Sequence, residues 1–475
     1  MAEAKKRFRT EQDSLGEVRV PAGAYYGAQT ARAAENFPVS GIPPKRDFIA
    51  ATGMVKKAAC LANAGLGLID RKSAKAVAGA ADEVITGALD AHFIVDVYQA
   101  GAGTSHNMNA NEVIANRANE MLGGRKGVYR PVHPNDHVNM AQSTNDTVPT
   151  AMRVAALLAS KRLLKALRGL ERAFSQKARR FSGVIKSGRT HLQDAVPVTL
   201  GGEFASYASA LGHARAGIED ALEGLEYIGL GATAAGTGLN AHPRYRAGVI
   251  RELRGVSGLK GLKPAPDLHE AINSMGAFTG LSGALRGLAV ELTRIANDLR
   301  LLSSGPRTGL GEIRLPPVQP GSSIMPGKVN PVMAEMTNMV CFQVMGNDLA
   351  VAMAAGAGQM DLNVMGPVIN YNILQSMDIL ASSMGLLAER CIAGIRADRS
   401  RCARYFEDSV GLATVLNTFI GYEAAADVAK ESARTGRTIK EVVIERGILT
   451  PGEWDRLLRP ENVTRPFDAG RLKKP

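Results

Sequence analysis

The segment Gly321–Pro331, with the sequence GSSIMPGKVNP, carries more polar chemistry than a connecting loop needs. Its glycines and prolines bracket the hydroxyls of Ser322 and Ser323, the ammonium of Lys328 and the amide of Asn330. A loop with a glycine hinge can close over a substrate and exclude water. A plain Gly/Pro connection is the alternative, and the density of polar groups between two apolar helices speaks against it.

Two further segments collect neutral hydrogen-bonding groups. The first, GAGTSHNMNANE, contains Thr104, and the second, HPNDHVNMAQSTND, ends with Ser143, Thr144 and Asn145. Hydroxyls, amides and backbone N–H groups exposed by glycine suit a carboxylate or a phosphate equally well. Helix N-caps are the alternative interpretation, because Thr, Ser and Asn are good caps.

Histidines occur in two of the polar segments. In GRTHLQDA, Thr190 and His191 are adjacent, and a catalytic histidine and a core histidine are equally compatible with this pattern. His133 and His137 have helical spacing but no third ligand nearby, which favours structural histidines. The sequence therefore predicts no metal site.

The inventory of Ser, Thr, Asn, His and Lys can recognise carboxylates and stabilise a carbanion without a cofactor. No P-loop or nucleophile elbow is present in a suitable context. The segment Gly229–Ala234, GLGATA, matches a dinucleotide-binding pattern, but the preceding residues are predicted as helix rather than strand, so we reject a nicotinamide site. No cofactor is expected, and activation by Mg²⁺ is left open.

Long helices are predicted to hold these segments. Hydrophobic periodicity indicates helices over residues 151–181, 271–304, from 331 towards 346, and over 368–395. The second of these would be about 50 Å long. It carries a heptad seam formed by Leu281, Leu285, Leu288, Leu292, Ile295, Leu299 and Leu302. Such a helix fits the core of an elongated bundle that is shared between subunits.

Composition narrows the possible partners and location. The 475 residues carry a formal charge of +12, but this charge is spread along the chain with few interleaved aromatic residues. A solvated basic surface is favoured over a nucleic-acid site, and it would help to gather a dianionic substrate. Four cysteines without C-x-x-C spacing argue against a disulfide framework or a zinc ribbon. No signal-like segment and no uninterrupted apolar run is evident, so we expect a soluble cytoplasmic protein without a membrane segment.

Together these four segments resemble the aspartase/fumarase superfamily in the same order along nearly the whole chain, and GSSIMPGKVNP is similar to its signature loop. The resemblance implies a mostly α, elongated subunit of three domains: an N-terminal domain (residues 1–145), a central helical bundle (146–397) with the catalytic loop 321–331, and a small C-terminal domain (398–475). It also implies a homotetramer whose core is the long-helix bundle and whose active sites each draw residues from three subunits.

Within the superfamily, GAGTSHNMNANE, QSTND and GAGQMDLNVMGP are more similar to the ammonia-lyase branch than to the class II fumarases. Gly366 stands where that branch usually has an acidic residue, and His106 replaces a commoner small residue. The implied reaction is the reversible anti-elimination of ammonia from L-aspartate to give fumarate, through an aci-carboxylate carbanion. Class II fumarate hydratase, with water in place of ammonia, is the alternative, and a helical scaffold without activity is a remoter one.

The resemblance also implies roles for individual residues. Ser322 would be the general base, Asn145 and His191 would lie near the amino group, and Glu335 would pair with His191. Lys328 and Asn330 would bind the α-carboxylate with help from Thr190. The β-carboxylate, where negative charge builds up, would be held by Thr104, Ser143, Thr144 and Ser323.

Overall fold

The computed structural model describes residues 7–466, and α-helices account for most of them. In chain order the helices are α1 (Ala28–Asn36), α2 (Arg46–Gly65), α3 (Arg71–Thr86), α4 (Thr104–Met121), α5 (Thr144–Arg180), α6 (Leu200–Glu223), α7 (Tyr245–Ser257), α8 (Leu268–Asn273), α9 (Gly276–Leu302), α10 (Val332–Gly356), α11 (Gly366–Arg390), α12 (Arg399–Asp408), α13 (Ala413–Ile420), α14 (Tyr422–Thr435), α15 (Ile439–Glu445), α16 (Pro451–Leu457) and α17 (Pro460–Val463). The mostly α fold class is confirmed.

Strands are few and short, and each pairs with a single neighbour. They are β1 (Phe8–Asp13), β2 (Gly16–Pro21), β3 (Ile185–Thr190), β4 (Gln193–Thr199), β5 (Tyr227–Ile228), β6 (Lys263–Pro264), β7 (Ile313–Arg314) and β8 (Arg396–Ala397). The pair β5–β6 is parallel and the other three pairs are antiparallel. The helix predicted before GLGATA ends at Glu223 and is followed by β5, but no helix begins directly after the glycines.

The described chain divides into two compact units. One contains residues 7–164, 215–289 and 342–381, and the other contains residues 165–214, 290–341 and 382–466. The division into three domains at residues 145 and 397 stays a prediction.

The long helices are present, but several of their ends differ from the predicted ones. Helix α5 begins at Thr144 rather than at residue 151, and Pro149 lies inside it. A proline near a helix start is tolerated because few intrahelical N–H bonds are lost there. Helix α9 begins only at Gly276, because Ser274 is extended and separates it from α8.

The predicted heptad seam of α9 is covered within the single chain. All seven of its side chains are at most 8% exposed: Leu281, Leu285, Leu288, Leu292, Ile295, Leu299 and Leu302. The seam is therefore core of the subunit itself, and it does not by itself require a partner subunit.

Helix α10 extends to Gly356, ten residues beyond the predicted Gly346. By length and composition it is the one helix within residues 7–466 that could cross a membrane, although only 28% of its most apolar window is buried. Its polar residues bond to other helices: Asn338 Nδ2 donates to Asn297 Oδ1, and Asn347 Nδ2 donates to Ser376 Oγ. These contacts are those of a helix in a protein bundle.

Helices α2, α3 and α4 pack through small side chains, which allow close helix approach. Buried residues of this cluster include Cys60, Ala76, Val77, Ala80, Ala81, Ala110, Val113 and Ile114. The close packing fixes the start of α4, where the segment GAGTSHN lies.

Truncation of the seam tests its place in the core. Leu288→Ala should lower the free energy of unfolding by about 2–5 kcal/mol, because it removes a completely buried side chain and leaves a cavity. The control is the exposed Lys161→Ala, expected to stay within about 0.5 kcal/mol of wild type. Urea unfolding at equal protein concentrations measures both, and equal midpoints would contradict the burial.

Candidate active site

Thr104 is the first residue of α4 and its side chain is exposed. The preceding residue, Gly103, contributes no side-chain cap, but the Thr104 N–H donates to the Gly101 carbonyl oxygen and the His106 N–H donates to Gln99 Oε1 at 2.8 Å. The helix dipole favours negative charge near such a terminus. The Thr104 hydroxyl, which lies 3.3 Å from the Gly101 carbonyl oxygen, is an exposed polar group at this helix start.

Ser143, Thr144 and Asn145 form the start of α5. Ser143 Oγ accepts the Asn145 N–H at 3.2 Å, and Asp146 Oδ1 accepts the Ser143 N–H at 2.9 Å, which is a reciprocal cap. The capping alternative is therefore correct for Ser143. A cap and a binding site are compatible here, because the cap orders the hydroxyl groups of the same turn.

The starts of α4 and α5 are in direct contact. Asn107 Nδ2 donates to Thr144 Oγ1 at 3.2 Å and lies 3.3 Å from Asn139 Oδ1. The structure therefore brings the Thr104 segment and the Ser143–Asn145 segment together within one chain. Asn145 Nδ2 is used for a bond to the Ala234 carbonyl oxygen at 2.7 Å, so only the rest of that amide is free for a ligand.

A buried ammonium lies behind this pair of helix starts. Lys56 of α2 is completely buried, and its Nζ donates to Asn139 Oδ1 at 2.8 Å and to Gln142 Oε1 at 3.0 Å. Burial lowers the pKa of Lys56 to about 7, while the nearby Asp146 opposes the shift. Lys56 and Thr144 are linked through Asn139 and Asn107, so the cation supports the hydroxyl side of the site.

Thr190 and His191 lie at the tip of the β3–β4 hairpin. Thr190 pairs with Gln193, which leaves His191 and Leu192 as a two-residue turn with positive φ angles of 55° and 59°. Such turns match the twist of the strands, although residues other than Gly and Asn adopt them at a cost. His191 is exposed, so the core-histidine alternative is excluded in this chain.

Buried charges hold the same hairpin in place. Glu312 is completely buried, with its carboxylate 2.8 Å from both Lys186 Nζ and Arg189 Nη1 of β3. Lys186 also donates to Glu203 Oε1 at 2.8 Å. Glu312 directly precedes β7, and the chain then leads into the loop 321–331. One carboxylate therefore connects the β3–β4 hairpin with the segment that leads into this loop.

The two ends of the loop 321–331 are joined by hydrogen bonds, so that the backbone folds back on itself there. The Gly321 N–H donates to the Lys328 carbonyl oxygen at 2.8 Å, and Asn330 Nδ2 donates to the Gly321 carbonyl oxygen at 2.7 Å. A Cβ at position 321 would overlap the Lys328 carbonyl oxygen, so glycine is required there. Ser323 and Lys328 are exposed on this loop.

Ser322 has the most informative surroundings in the loop. Its Oγ accepts the backbone N–H of Ile324 at 3.2 Å and that of Met325 at 3.0 Å. Two donors directed at one hydroxyl oxygen stabilise negative charge on it.

Glu335 lies in the first turn of α10 and is half-buried. Within residues 7–466 of this one chain, no ion pair joins it to His191. Their predicted pairing therefore stays a prediction. His133 and His137 cap the turn Pro134–Val138 with ring nitrogens: His133 Nδ1 accepts N–H groups of that turn, and His137 Nδ1 accepts the His133 N–H.

Sequence interpretation missed Lys56 and Asp146. Asp146 stands in the segment QSTND, one residue after the predicted Asn145, and could have been found from that position. Lys56 left a weaker signal: Thr52, Lys56 and Asn63 follow helical spacing among the mostly apolar buried residues of α2.

Comparison with known proteins gives consistent matches. A family model described as "Lyase" matches residues 16–346, and one described as "Fumarase C C-terminus" matches residues 412–465. An aspartate ammonia-lyase from Pseudomonas fluorescens is 52% identical over 97% of this chain and 96% of its own length. A class II fumarate hydratase from Neisseria meningitidis is 47% identical over 96% of this chain and 99% of its own length.

The fold is shared with solved structures as well. The fumarate lyase:delta crystallin from Brucella melitensis, in its cobalt-bound crystal structure, matches with a TM-score of 0.94 and 51% identity over 97% of this chain and 100% of that one. Because the lyase model covers most of the chain and relatives at about half identity cover nearly all of it, the protein belongs to the aspartase/fumarase superfamily of lyases.

Proposed function

We propose that the protein is an aspartate ammonia-lyase, a carbon–nitrogen lyase that interconverts L-aspartate with fumarate and ammonia. The observation that carries the proposal is the Ser322 hydroxyl oxygen, which accepts two backbone N–H groups in an exposed glycine-containing loop. The likeness to aspartate ammonia-lyases over nearly the full chain supports the choice of substrate.

The difficult step of this reaction is the removal of a proton from the carbon next to the β-carboxylate. That proton is weakly acidic, and the carbanion is accessible only as an aci-carboxylate whose charge is held by fixed donors. A serine is a poor base in water, so the alkoxide needs stabilisation. The N–H groups of Ile324 and Met325 supply it at Ser322, because hydrogen bonds to a charged form lower its pKa.

The carboxylate-binding groups follow from the helix starts. Thr104 at the start of α4, together with Ser143 and Thr144 at the start of α5, offers hydroxyls beside helix N-termini that favour negative charge. With Ser323 these residues would hold the β-carboxylate as its charge increases. The buried Lys56 ammonium adds positive potential behind them.

The remaining residues would bind the other end of the substrate. Lys328 and Asn330 of the loop, with Thr190 of the hairpin, would bind the α-carboxylate. Asn145 and His191 would lie near the amino group, with Glu335 pairing with His191. The amino group of L-aspartate is already protonated at neutral pH and leaves as neutral ammonia, so neither a strong general acid nor a cofactor is required.

We also propose a cytoplasmic homotetramer in which each active site combines residues of three subunits. Helix α10 supports this assembly, because Met339, Phe342, Leu349 and Met353 recur at heptad spacing and are each more than half exposed in the single chain. An apolar stripe of this length is rarely left open to water.

Class II fumarate hydratase is the second candidate. The loop 321–331 and the hairpin tip suit either leaving group, and a class II fumarate hydratase is among the similar relatives. The identity of the leaving group is therefore a matter for experiment.

Incubation with L-aspartate and, separately, with L-malate distinguishes the two candidates. We expect fumarate to form from L-aspartate with a kcat/KM at least about 100-fold above that for L-malate, since a site built for an ammonium group loses its partners with a hydroxyl. The ultraviolet absorbance of fumarate follows both reactions. Turnover of L-malate alone would replace the proposal with the hydratase, and turnover of neither would favour the inactive scaffold.

Ser322→Ala tests the base. Removal of the hydroxyl should reduce kcat by about 1,000-fold or more, because no neighbouring group can take the proton in its place. Fumarate binding by calorimetry should persist, since the carboxylate-binding residues are intact. The comparison variant is Ser323→Ala, which should mainly raise KM; near-wild-type turnover by Ser322→Ala would remove Ser322 from the base role.

Phe342→Glu tests the assembly. A charge in the middle of the apolar stripe of α10 would be buried without a partner in the tetramer, so light scattering should show smaller species and specific activity should fall with them. Leu15→Glu, at a residue of the β1–β2 turn that is more exposed than Phe342, is the control and should leave the mass unchanged. A wild-type mass of one subunit, or an unchanged mass in Phe342→Glu, would contradict this mode of assembly.

A further inference from the structure

Asp146 holds two chain segments with one buried carboxylate. It lies in the first turn of α5 and is completely buried. Its Oδ1 accepts the Ser143 N–H at 2.9 Å, while its Oδ2 accepts the N–H groups of Gly231 and Thr233, both at 3.0 Å. Both oxygens are thus fully engaged as acceptors, as a charged carboxylate requires in the interior.

The loop held by Oδ2 would not keep its shape by itself. Thr233 is a β-branched residue with φ of 58°, a conformation that such residues rarely adopt without external support. The neighbouring Ala234 carbonyl oxygen accepts the Asn145 Nδ2 bond at 2.7 Å. The orientation of the Asn145 side chain therefore depends on the position of this loop.

We infer that Asp146 is a positioning residue of the carboxylate site. It fixes the loop 231–234 against the segment Ser143–Asn145, so that the Ser143 and Thr144 hydroxyls and the Asn145 amide are already oriented when a dicarboxylate arrives. The inference rests on the proposed function, in which Ser143, Thr144 and Asn145 contact the substrate. Asp146 itself contacts no substrate and acts only through these neighbours.

Charged and titratable groups around Asp146 determine its pH response. Lys56 of α2 and the completely buried Tyr245 of α7 both act on it electrostatically, and His106 of α4 acts on Lys56. Burial raises the pKa of Asp146 to about 6, against the lowering effect of its backbone hydrogen bonds and of Lys56. As the pH falls through this value, one oxygen becomes a hydroxyl and can no longer accept the N–H groups. Affinity for the dicarboxylate should then fall, whereas the substrate carboxylates, with ordinary pKa values near 4, stay ionised.

Asp146→Asn is the direct test. An asparagine side chain has the shape of the aspartate side chain but only one acceptor oxygen. Its NH₂ group would therefore face backbone N–H donors that the second carboxylate oxygen of Asp146 accepts in the wild type. With L-aspartate we expect KM to rise about tenfold or more with at most about a threefold change in kcat, because binding groups are misplaced while Ser322 is untouched. The decline of kcat/KM below pH 6 that we expect for the wild type should flatten in the variant. A KM within twofold of wild type, or an acid decline that persists unchanged, would overturn the inference.

Asp96→Asn is the matched control for loss of stability alone. Asp96 is also buried, and its carboxylate accepts the backbone N–H groups of Ser40, Gly41 and Tyr98. The Asp96→Asn substitution should lower the melting temperature, but it should leave the KM for L-aspartate and the pH profile of kcat/KM unchanged. An equal rise in KM in both variants would show a general structural effect and overturn the positioning role.

A second variant covers the case in which Asp146→Asn does not fold. Gly231 has φ of 98°, and Gly231→Ala would displace the loop while leaving the carboxylate intact. KM should rise in this variant too, and an unchanged KM would overturn the inference. Wild-type enzyme that turns over L-malate but not L-aspartate would defeat the proposed substrate only. The variants would then be compared with the wild type using L-malate as the substrate. If neither acid is turned over, the affinity for fumarate, measured by calorimetry, would be compared instead of KM.

Discussion

The candidate site depends on backbone N–H groups that do not bond to a backbone carbonyl group. A helix leaves its first N–H groups without intrahelical partners, and side chains accept some of them here: Gln99 Oε1 accepts the His106 N–H in the first turn of α4, and Ser143 Oγ accepts the Asn145 N–H in the first turn of α5. At Ser322 two loop N–H groups converge on one hydroxyl oxygen. A donor that costs free energy when buried alone becomes useful in the proposed reaction once an alkoxide can accept from it.

Such donors help only if the segments that carry them are held still. Buried ions do this in both compact units: Lys56 and Asp146 behind the starts of α4 and α5, and Glu312 with Lys186 and Arg189 beneath the β3–β4 hairpin. An isolated buried charge would be costly, but Asp146 accepts three backbone N–H groups, and the Glu312 carboxylate lies 2.8 Å from the cations of both Lys186 and Arg189. We expect the benefit to be orientation rather than stability, because the cost of desolvation offsets the attraction between buried charges.

Sequence reasoning found the polar segments of the candidate site more readily than the residues that support them. The loop 321–331 and the clusters around Thr104 and Ser143 stand out in local composition because their polar groups interrupt the apolar periodicity, and the roles predicted for their residues stay predictions. The long helices were predicted from their periodicity. The break between α8 and α9 was not predicted, because Ser274, where it occurs, is not itself a strong helix-breaking residue. The β3–β4 hairpin was missed because its turn, His191–Leu192, contains neither glycine nor asparagine. Lys56 and Asp146 owe their roles to contacts across long chain separations, which no local pattern records.

The two departures from the pattern of the ammonia-lyase branch, His106 and Gly366, lie along one small interior cavity. His106 is completely buried, stacks on Phe48 with ring centroids 4.2 Å apart, and has its Nε2 2.9 Å from Thr52 Oγ1. Burial lowers its pKa to about 3, so the ring is neutral. A neutral ring needs no carboxylate beside it, and a Cβ at position 366 would lie 3.4 Å from Met152 Sδ. His106 and Gly366 therefore belong to one packed region of the core, which also includes Gly103, the residue before Thr104.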